Sequence, residues 1–176
     1  MTKLLGLSGA LRKASTNSQL LQNAADIFGA DSYELADINL PLYDGDIETN
    51  DGIPAPVNVL FHQIKAADAV IIATPEYNSS ISGALKNALD WVSRVDGNPW
   101  RDKPTAIMSA AAGRTGGARA QFALRNCMTP FRPNIVQGPE MMLAGSHKEF
   151  DDAGKLTGDH YIQTLTDLMA ALKSRI

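Results

Sequence analysis

The sequence alternates short apolar segments with longer amphipathic ones, and this alternation constrains the fold more than any other feature. The clearest apolar segment is Ala69–Thr74, which is predicted to be a strand and is followed at once by Pro75. A strand with an uninterrupted apolar run is expected where both faces of a parallel sheet are covered. An amphipathic helix is predicted next, over about residues 83–95. Repetition of this pattern indicates β-α-β units built around a parallel sheet.

The other predicted elements follow the same order along the chain. Strands are predicted at residues 3–8, 32–35, 105–111 and 134–143, the last one interrupted by Gly138-Pro139. Helices are predicted at residues 17–28 and 57–67, from the glycine-rich turn at 113–117 to about Cys127, and at 158–175. Residues 39–56, rich in proline, glycine and acidic residues, are predicted to form a long loop, and such loops are often functional. The five predicted strands and five predicted helices indicate one α/β domain over residues 1–176, with a doubly wound parallel sheet and helices on both faces.

The composition is that of an ordinary globular domain. Of the 176 residues, 44% are hydrophobic and 20% are charged, and the net charge of -3 provides no basic surface for nucleic acid or anionic membranes. No apolar run approaches the roughly 20 residues of a membrane-spanning helix, and the segment after Met1 turns polar too early for a secretory signal. The single cysteine, Cys127, excludes an intramolecular disulfide and is typical of a reducing compartment. We therefore expect a cytoplasmic protein with no membrane insertion and no nucleic-acid partner.

The loops after Ser8, Thr74 and Ala111 are the candidate ligand site, because doubly wound folds bind ligands beyond the carboxyl ends of their strands. The first of these loops leads into a helix N-terminus, whose free N–H groups and partial positive charge favour a phosphate. Arg12 adds a guanidinium that can bind the same oxygens in a bidentate manner. The helix start also carries three short polar side chains, those of Ser15, Thr16 and Asn17.

Two purely structural interpretations of these residues stay open. Thr16 and Gln19 have the spacing of a capping box, in which both side chains only satisfy the helix end. Arg12 and Lys13 could be a solvated pair on an exposed loop. The loop has neither the Walker A pattern nor G-x-G-x-x-G, so the sequence predicts neither a P-loop nor a Rossmann dinucleotide site.

Four motifs occur together and in order over about residues 4–130. The first is the opening at residues 6–17, with the pattern Gly-x-Ser-Gly-x-x-Arg-x-x-Ser-x-Asn. The others are Pro-Glu-Tyr-Asn at 75–78, Leu-Lys-Asn-Ala-Leu-Asp-Trp at 85–91 and Gly-Gly-Ala-Arg at 116–119. With these motifs the chain resembles the NADPH-dependent FMN reductase family, which includes bacterial quinone and chromate reductases and related azoreductases.

The resemblance implies a flavodoxin-like fold that holds FMN in the three loops. The FMN phosphate is expected on the first loop, where Arg12, Ser15 and Asn17 match the family's pattern. Many members carry a serine where this chain has Ala10, so Ser8 or a backbone N–H is expected to replace that donor.

The ring end of FMN is expected at the other two loops. Pro75 is expected to shape the second loop, and the resemblance places Glu76, Tyr77 and Asn78 along the edge of the isoalloxazine ring. Ser109, at the end of the fourth predicted strand, matches a family position near the flavin. Taken without the resemblance, residues 75–78 could equally be an ordinary strand-to-helix turn.

The resemblance also implies the reaction. It indicates an oxidoreductase that takes electrons from NADPH or NADH and reduces small acceptors (quinones, chromate, azo compounds or free flavin) by ping-pong hydride transfer through bound FMN. The cofactor carries this chemistry, so no catalytic side chain is required. The three histidines lack metal-ligand spacing, and no metal site is predicted. Cys127 and Arg132 lie one residue too close for a tyrosine-phosphatase loop, so Cys127 is interpreted as a packing residue within a helix.

Two other classes of protein remain as alternatives. A flavodoxin-type FMN electron carrier would not oxidise NAD(P)H itself, and such carriers are strongly acidic and usually hold the phosphate without arginine. Arg12 and the small net charge favour the enzyme. A flavin-free protein that binds a phosphorylated ligand is the second alternative.

The predicted helix at residues 83–95 also bears on assembly. Its apolar side chains span an arc of about 160°, wider than the roughly 100° that packing on a sheet requires. Trp91 lies at the border of that arc. The excess apolar surface predicts a homodimer or a dimer of dimers with this helix near the interface, and the resemblance implies flavin sites close to the subunit boundary. The alternative is that Trp91 packs under the 39–56 segment.

Overall fold

The computed structural model describes all residues, 1–176, as one parallel sheet with helices on both faces. In chain order, the elements are β1 (Lys3–Ser8), α1 (Thr16–Phe28), β2 (Ser32–Ala36), α2 (Gly45–Asp51), α3 (Ala55–Ala66), β3 (Ala69–Thr74), α4 (Gly83–Val92), β4 (Pro104–Ala110), α5 (Ala118–Met128), β5 (Asn134–Ile135), β6 (Met141–Leu143) and α6 (Asp159–Lys173). Short 3-10 turns occupy Thr129–Phe131 and Ser146–Lys148. Every predicted strand and helix is present, with ends that differ by a few residues.

The order of the strands confirms the doubly wound prediction. The sheet runs β2-β1-β3-β4-β5, all pairs are parallel, and β6 continues beside β4. This is the flavodoxin-like order, with its switch point between β1 and β3. At that point Ser8 lies opposite Ala73, and Thr74 lies opposite Ser109 on the next strand. The loops that follow β1, β3 and β4 therefore leave the sheet at the same edge.

Two apolar cores cover the two faces of the sheet. One is formed with α1 and α6, and the other with α3, α4 and α5. All six residues of β3 are buried, as expected for a central strand covered on both sides. None of the helices combines the length and the apolar character that crossing a membrane requires.

Local signals set the ends of α1, the helix that follows the first loop. Ser15 is its N-cap, and the Ser15 hydroxyl accepts a hydrogen bond from the backbone N–H of Asn17 at 3.2 Å. Gly29 ends the helix in the left-handed conformation, with φ of 63°. Ser15 therefore caps the helix, whereas Thr16, the cap in the capping-box interpretation, is the first residue of the helix.

The prediction of an irregular loop over residues 39–56 is wrong in part, because α2 lies within it. Asp44 caps this helix by accepting from the N–H of Asp46, and acidic residues in the first turn favour its positive end. The helix buries no residue of its own. It is attached by Glu48, which accepts from Arg94 at 2.9 Å and from the hydroxyl of Tyr43 at 3.0 Å. The bond from Arg94 lowers the pKa of Glu48, and the bond to Glu48 raises the pKa of Tyr43.

The expectation that Trp91 presents free apolar surface is also wrong. Trp91 is 0% exposed, its indole N–H donates to the carbonyl of Pro41 at 2.7 Å, and its ring meets Tyr43 edge-to-face at 4.9 Å. Asn87 binds the same segment, accepting from the Tyr43 N–H at 2.8 Å and donating to the Pro41 carbonyl at 2.9 Å. The apolar arc of α4 is therefore covered within the chain, partly by residues 40–43. This agrees with the alternative prediction that Trp91 packs under the 39–56 segment. The Asn and Trp of the Leu-Lys-Asn-Ala-Leu-Asp-Trp motif anchor this segment.

The last predicted strand is divided in two. β5 pairs with the beginning of β4 and β6 with its end, and the cis bond between Gly138 and Pro139 lies between them. Because β6 ends at the same edge as β1, β3 and β4, the loop after Leu143 also reaches the candidate site.

Candidate functional site

A cavity of about 300 Å³ opens where these loops meet at the carboxyl edge of the sheet. Seven residues predicted for the site line it: Arg12, Ser15, Thr16, Asn17, Pro75, Glu76 and Tyr77. The other lining residues come from Ala10, from the end of β4 at 110–112, and from Ser146 and His147 of the loop after β6. Three predicted residues, Ser8, Asn78 and Ser109, do not line the cavity.

The first loop provides unused hydrogen-bond donors. The backbone N–H groups of residues 11–14, Thr16 and Ser18 donate no hydrogen bond within the chain. The Arg12 side chain is exposed and takes part in no ion pair. A helix N-terminus with free N–H groups and an adjacent unpaired guanidinium is suited to a phosphate.

The polar side chains at the start of α1 are mostly engaged in holding the edge together. Asn17, 2% exposed, donates to the carbonyl of Ala110 at 3.0 Å and accepts from the Ala110 N–H at 3.0 Å. Its amide thus continues the hydrogen bonding of β4, and a direct contact of Asn17 with a phosphate stays a prediction. The hydroxyl of Thr16 shares a hydrogen bond with Ser146, 3.1 Å away.

Ser8 also acts within the loop. Its hydroxyl accepts from Ser18 at 2.9 Å and from the Ala10 N–H at 3.4 Å, and only 6% of the residue is exposed. The expected substitution of Ser8 for the serine that is absent at Ala10 therefore has no support in the geometry. The free backbone N–H groups of the loop are the available donors.

The second loop is a tight two-residue turn. The backbones of Tyr77 and Ser80 exchange two hydrogen bonds of 3.0 Å, and the residues between them, Asn78 and Ser79, have φ of 49° and 65°. This is the conformation of a type I′ turn, which favours glycine or asparagine. Tyr77, at the entry to the turn, is 55% exposed beside the cavity. Non-glycine residues with positive φ cluster at functional sites, where the surroundings hold them in place.

The glycine-rich turn after β4 is packed too closely for side chains. A Cβ added to Gly116 would lie 2.5 Å from the backbone of Met142, and one added to Gly117 would lie 2.8 Å from the Cβ of Ser109. Ser109 is fully buried, donates to the carbonyl of Gly116 at 2.6 Å and accepts from Gln121 at 2.9 Å. Ser109 therefore holds this turn from beneath and does not itself line the cavity, and its predicted place near the flavin stays a prediction.

The loop after β6, which contains Ser146 and His147, was not among the three loops predicted to form the site. Its Ser146 N–H donates to the carbonyl of Ala111 at 3.1 Å, and its Ser146 hydroxyl meets Thr16, so the loop closes one side of the cavity. His147 follows, exposed and lining the cavity. The rule that ligands bind at the carboxyl ends of strands could have identified this loop, because it follows the last strand. No three of the His, Cys, Asp and Glu side chains are grouped as a metal site.

The lining of the cavity combines the two kinds of chemistry that FMN requires. Arg12 and the free N–H group of Thr16 suit a phosphate. Pro75, Tyr77 and the three alanines at 110–112 suit a flat aromatic ring. The residues present therefore fit FMN.

Comparisons with known proteins agree with this fit. The sequence profile of the NADPH-dependent FMN reductase family matches residues 2–148. An NAD(P)H-dependent FMN reductase of Pseudomonas aeruginosa is 43% identical over 173 residues, which cover 97% of this chain and 93% of that protein. A quinone reductase of Escherichia coli is 40% identical over 145 residues, covering 80% of this chain and 76% of the relative.

A solved structure is similar over almost the whole chain. The flavoenzyme FerB, an NAD(P)H:(acceptor) oxidoreductase of Paracoccus denitrificans, superimposes with a TM-score of 0.88 and 30% identity, covering 99% of this chain and 96% of FerB. The sequence profile and the relatives above 30% identity agree with the four motifs and with the cavity that these motifs form. The chain belongs to the NADPH-dependent FMN reductase family and is an FMN-dependent NAD(P)H oxidoreductase.

Proposed function

We propose that this enzyme reduces small quinones with electrons from NADPH or NADH, with FMN held in the cavity at the carboxyl edge of the sheet. The observation that carries the proposal is the lining of the cavity, which combines Arg12 and a helix N-terminus with Pro75, Tyr77 and three alanines. The quinone as acceptor follows from the relatives, among which an NAD(P)H:quinone oxidoreductase of Solanum tuberosum is 38% identical over 98% of this chain. Chromate, azo compounds and free flavin remain further candidate acceptors.

Each part of the lining then has a defined task. The guanidinium of Arg12 and the free backbone N–H groups of Arg12 and Thr16 bind the phosphate. Pro75, Tyr77 and residues 110–112 contact the ring and exclude water from one of its faces. When bound, FMN supplies the redox chemistry by accepting a hydride from the reduced nicotinamide and passing electrons to the acceptor. No side chain at the cavity is required as a general acid or base.

Steady-state kinetics test the proposal. Because donor and acceptor share the open face of the flavin, NADPH and a small benzoquinone should give parallel double-reciprocal lines. Intersecting lines would contradict a shared site. A panel of quinone, azo dye, chromate and free FMN at equal concentrations should rank the quinone first by kcat/KM. A protein that binds FMN but oxidises neither NADPH nor NADH would instead be an electron carrier.

We propose a homodimer, but not one that α4 mediates. The sequence predicted free apolar surface on that helix, and Trp91 is buried within the chain. Two exposed aromatic rings are available instead: Tyr77, which lines the cavity, is 55% exposed, and Phe122, one turn along α5 from Arg119, is 63% exposed. We expect these rings to lie near the subunit boundary. Light scattering should give a mass of at least two chains, and Phe122→Glu should shift it toward one chain of 18.9 kDa. A wild-type monomer at micromolar concentration would contradict the dimer.

A cytoplasmic location is proposed from the single free cysteine and from the nicotinamide donor. Cys127 is partly buried and lies against the core on the α3, α4 and α5 side, as interpreted from the sequence. Cell fractionation with the enzyme activity as marker tests the location, and activity in the membrane pellet would contradict it.

A further inference from the structure

The amino terminus of α5 receives its cap from another part of the chain. Its N-cap residue is Gly117, which provides no side-chain hydrogen bond. Instead, Oε2 of Glu76 accepts from the N–H of Arg119 at 3.0 Å and from the N–H of Ala120 at 3.4 Å. A carboxylate is well suited to this position, since it satisfies free N–H groups and lies at the positive end of the helix dipole.

A cap from within the helix start is sterically excluded. Gly117 has φ of 90°, and a Cβ there would lie 2.8 Å from Ser109. Gly116 has φ of 59°, and a Cβ there would lie only 2.5 Å from the backbone of Met142. A serine or aspartate at Gly117 would therefore clash, and the cap must come from a neighbouring segment.

Glu76 also stands at the entry to the strained turn. The turn at Asn78 and Ser79 has two successive positive φ angles and no glycine. Such conformations cost about 1 kcal/mol or more each and persist only where the surroundings hold them. The carboxylate of Glu76 joins the start of this turn to α5, and the only other side-chain hydrogen bond between α5 and the turn is a long one of 3.4 Å between Arg119 and Ser79.

We infer that Glu76 is a positioning residue: by capping α5 it joins the Pro75–Ser80 turn to the glycine turn, and so fixes two walls of the FMN cavity relative to each other. The inference rests on the proposed function, which places FMN in this cavity. The site then needs Glu76 as a hydrogen-bond acceptor toward α5, and not as a negative charge beside the flavin. This differs from the expectation that Glu76 serves the ring edge.

Three substitutions of Glu76 separate these possibilities. Glu76→Gln keeps an oxygen that can accept from the Arg119 N–H but removes the charge. Glu76→Met keeps the length of the side chain and removes the acceptor, and Glu76→Ala removes both. Asp44→Ala is the matched control, because it removes the cap of α2, a helix that contributes nothing to the cavity. FMN titration of each apoprotein, followed by flavin fluorescence, gives the dissociation constants.

We expect Glu76→Met and Glu76→Ala to weaken FMN binding about tenfold or more, from the size of one hydrogen bond to a charged group. Glu76→Gln should remain within about threefold of the wild type, and Asp44→Ala should match it. Hydrogen exchange at the amides of Arg119 and Ala120 should accelerate in the Met and Ala variants only. Wild-type affinity in Glu76→Met would overturn the inference.

Equal weakening in Glu76→Gln and Glu76→Met would also overturn it, because the charge would then be what matters. A wild-type protein that binds no FMN would refute the proposed function instead. Amide exchange at Arg119 and Ala120 in the apoprotein would still decide whether Glu76 caps the helix. The two failures are therefore distinguishable.

Discussion

Replacement of Arg12 by alanine should weaken FMN binding without unfolding the protein. The guanidinium is exposed and forms no ion pair in the chain, so its removal should change the free energy of unfolding by no more than about 0.5 kcal/mol. A hydrogen bond from a charged donor to phosphate contributes roughly 1.5–3 kcal/mol, which corresponds to a dissociation constant roughly 10 to 150 times higher. The free backbone N–H groups remain in the variant, so binding should be weakened and not abolished.

The assay compares FMN with riboflavin, which lacks the phosphate. Apoprotein is titrated with each ligand, and Lys13→Ala serves as the matched control, because Lys13 is an adjacent exposed cation that does not line the cavity. Arg12→Ala should lose affinity for FMN and keep its affinity for riboflavin, and the difference from wild type should shrink as salt is raised. Equal losses for both ligands, or an unchanged dissociation constant for FMN, would refute the assignment of the phosphate to this loop.

Three further changes test the second loop and the packing of the fold. Ser79→Gly should stabilise the protein by about 1 kcal/mol in urea unfolding, because it relieves a positive φ of 65°, and a lower midpoint would contradict the strain. Asn87→Leu should destabilise the protein by about 2 kcal/mol, because the Tyr43 N–H loses its 2.8 Å acceptor within a largely buried contact. The control is Lys86→Leu, at a neighbouring exposed position. Burial raises the pKa of Tyr33 from 10.0 to about 12, so stability from the neutral phenol is present below pH 10 and is lost as the pH rises toward 12. Tyr33→Phe should flatten this alkaline loss, and an identical pH profile in the variant would count against it.

The sequence was sufficient for features that depend on neighbouring residues. Ala69–Thr74 forms the predicted strand because its apolar run and Pro75 act locally, and the motif at 75–78 forms a turn at the predicted edge. The loops at this edge were predictable as a group because parallel strands share their direction. Because these loops leave the sheet at one edge, seven of the predicted site residues line one cavity.

Features that depend on distant partners were not predictable. Trp91 looked like a border residue on its helix, but the Pro41 carbonyl, 50 positions earlier in the chain, accepts its N–H. Asn17 was predicted to bind a phosphate, yet its side-chain amide both donates to and accepts from the backbone of Ala110 at the end of β4. The cap of α5 by Glu76 could be seen only once the glycine turn was known to leave no room for a side chain. In each case the hydrogen-bond partner of a polar group lies more than 40 positions away in the chain.

Anaerobic mixing of the holoenzyme with NADPH and then with a quinone tests directly whether FMN in this cavity carries the electrons. We expect one FMN per chain, loss of the flavin absorbance on addition of NADPH or NADH alone, and its return when a small benzoquinone follows. The control is heat-released FMN at the same concentration with the same donor, which should bleach far more slowly. A purified protein without flavin after incubation with excess FMN, or a bound flavin that neither nicotinamide bleaches, would contradict FMN-dependent oxidation of NAD(P)H by this chain.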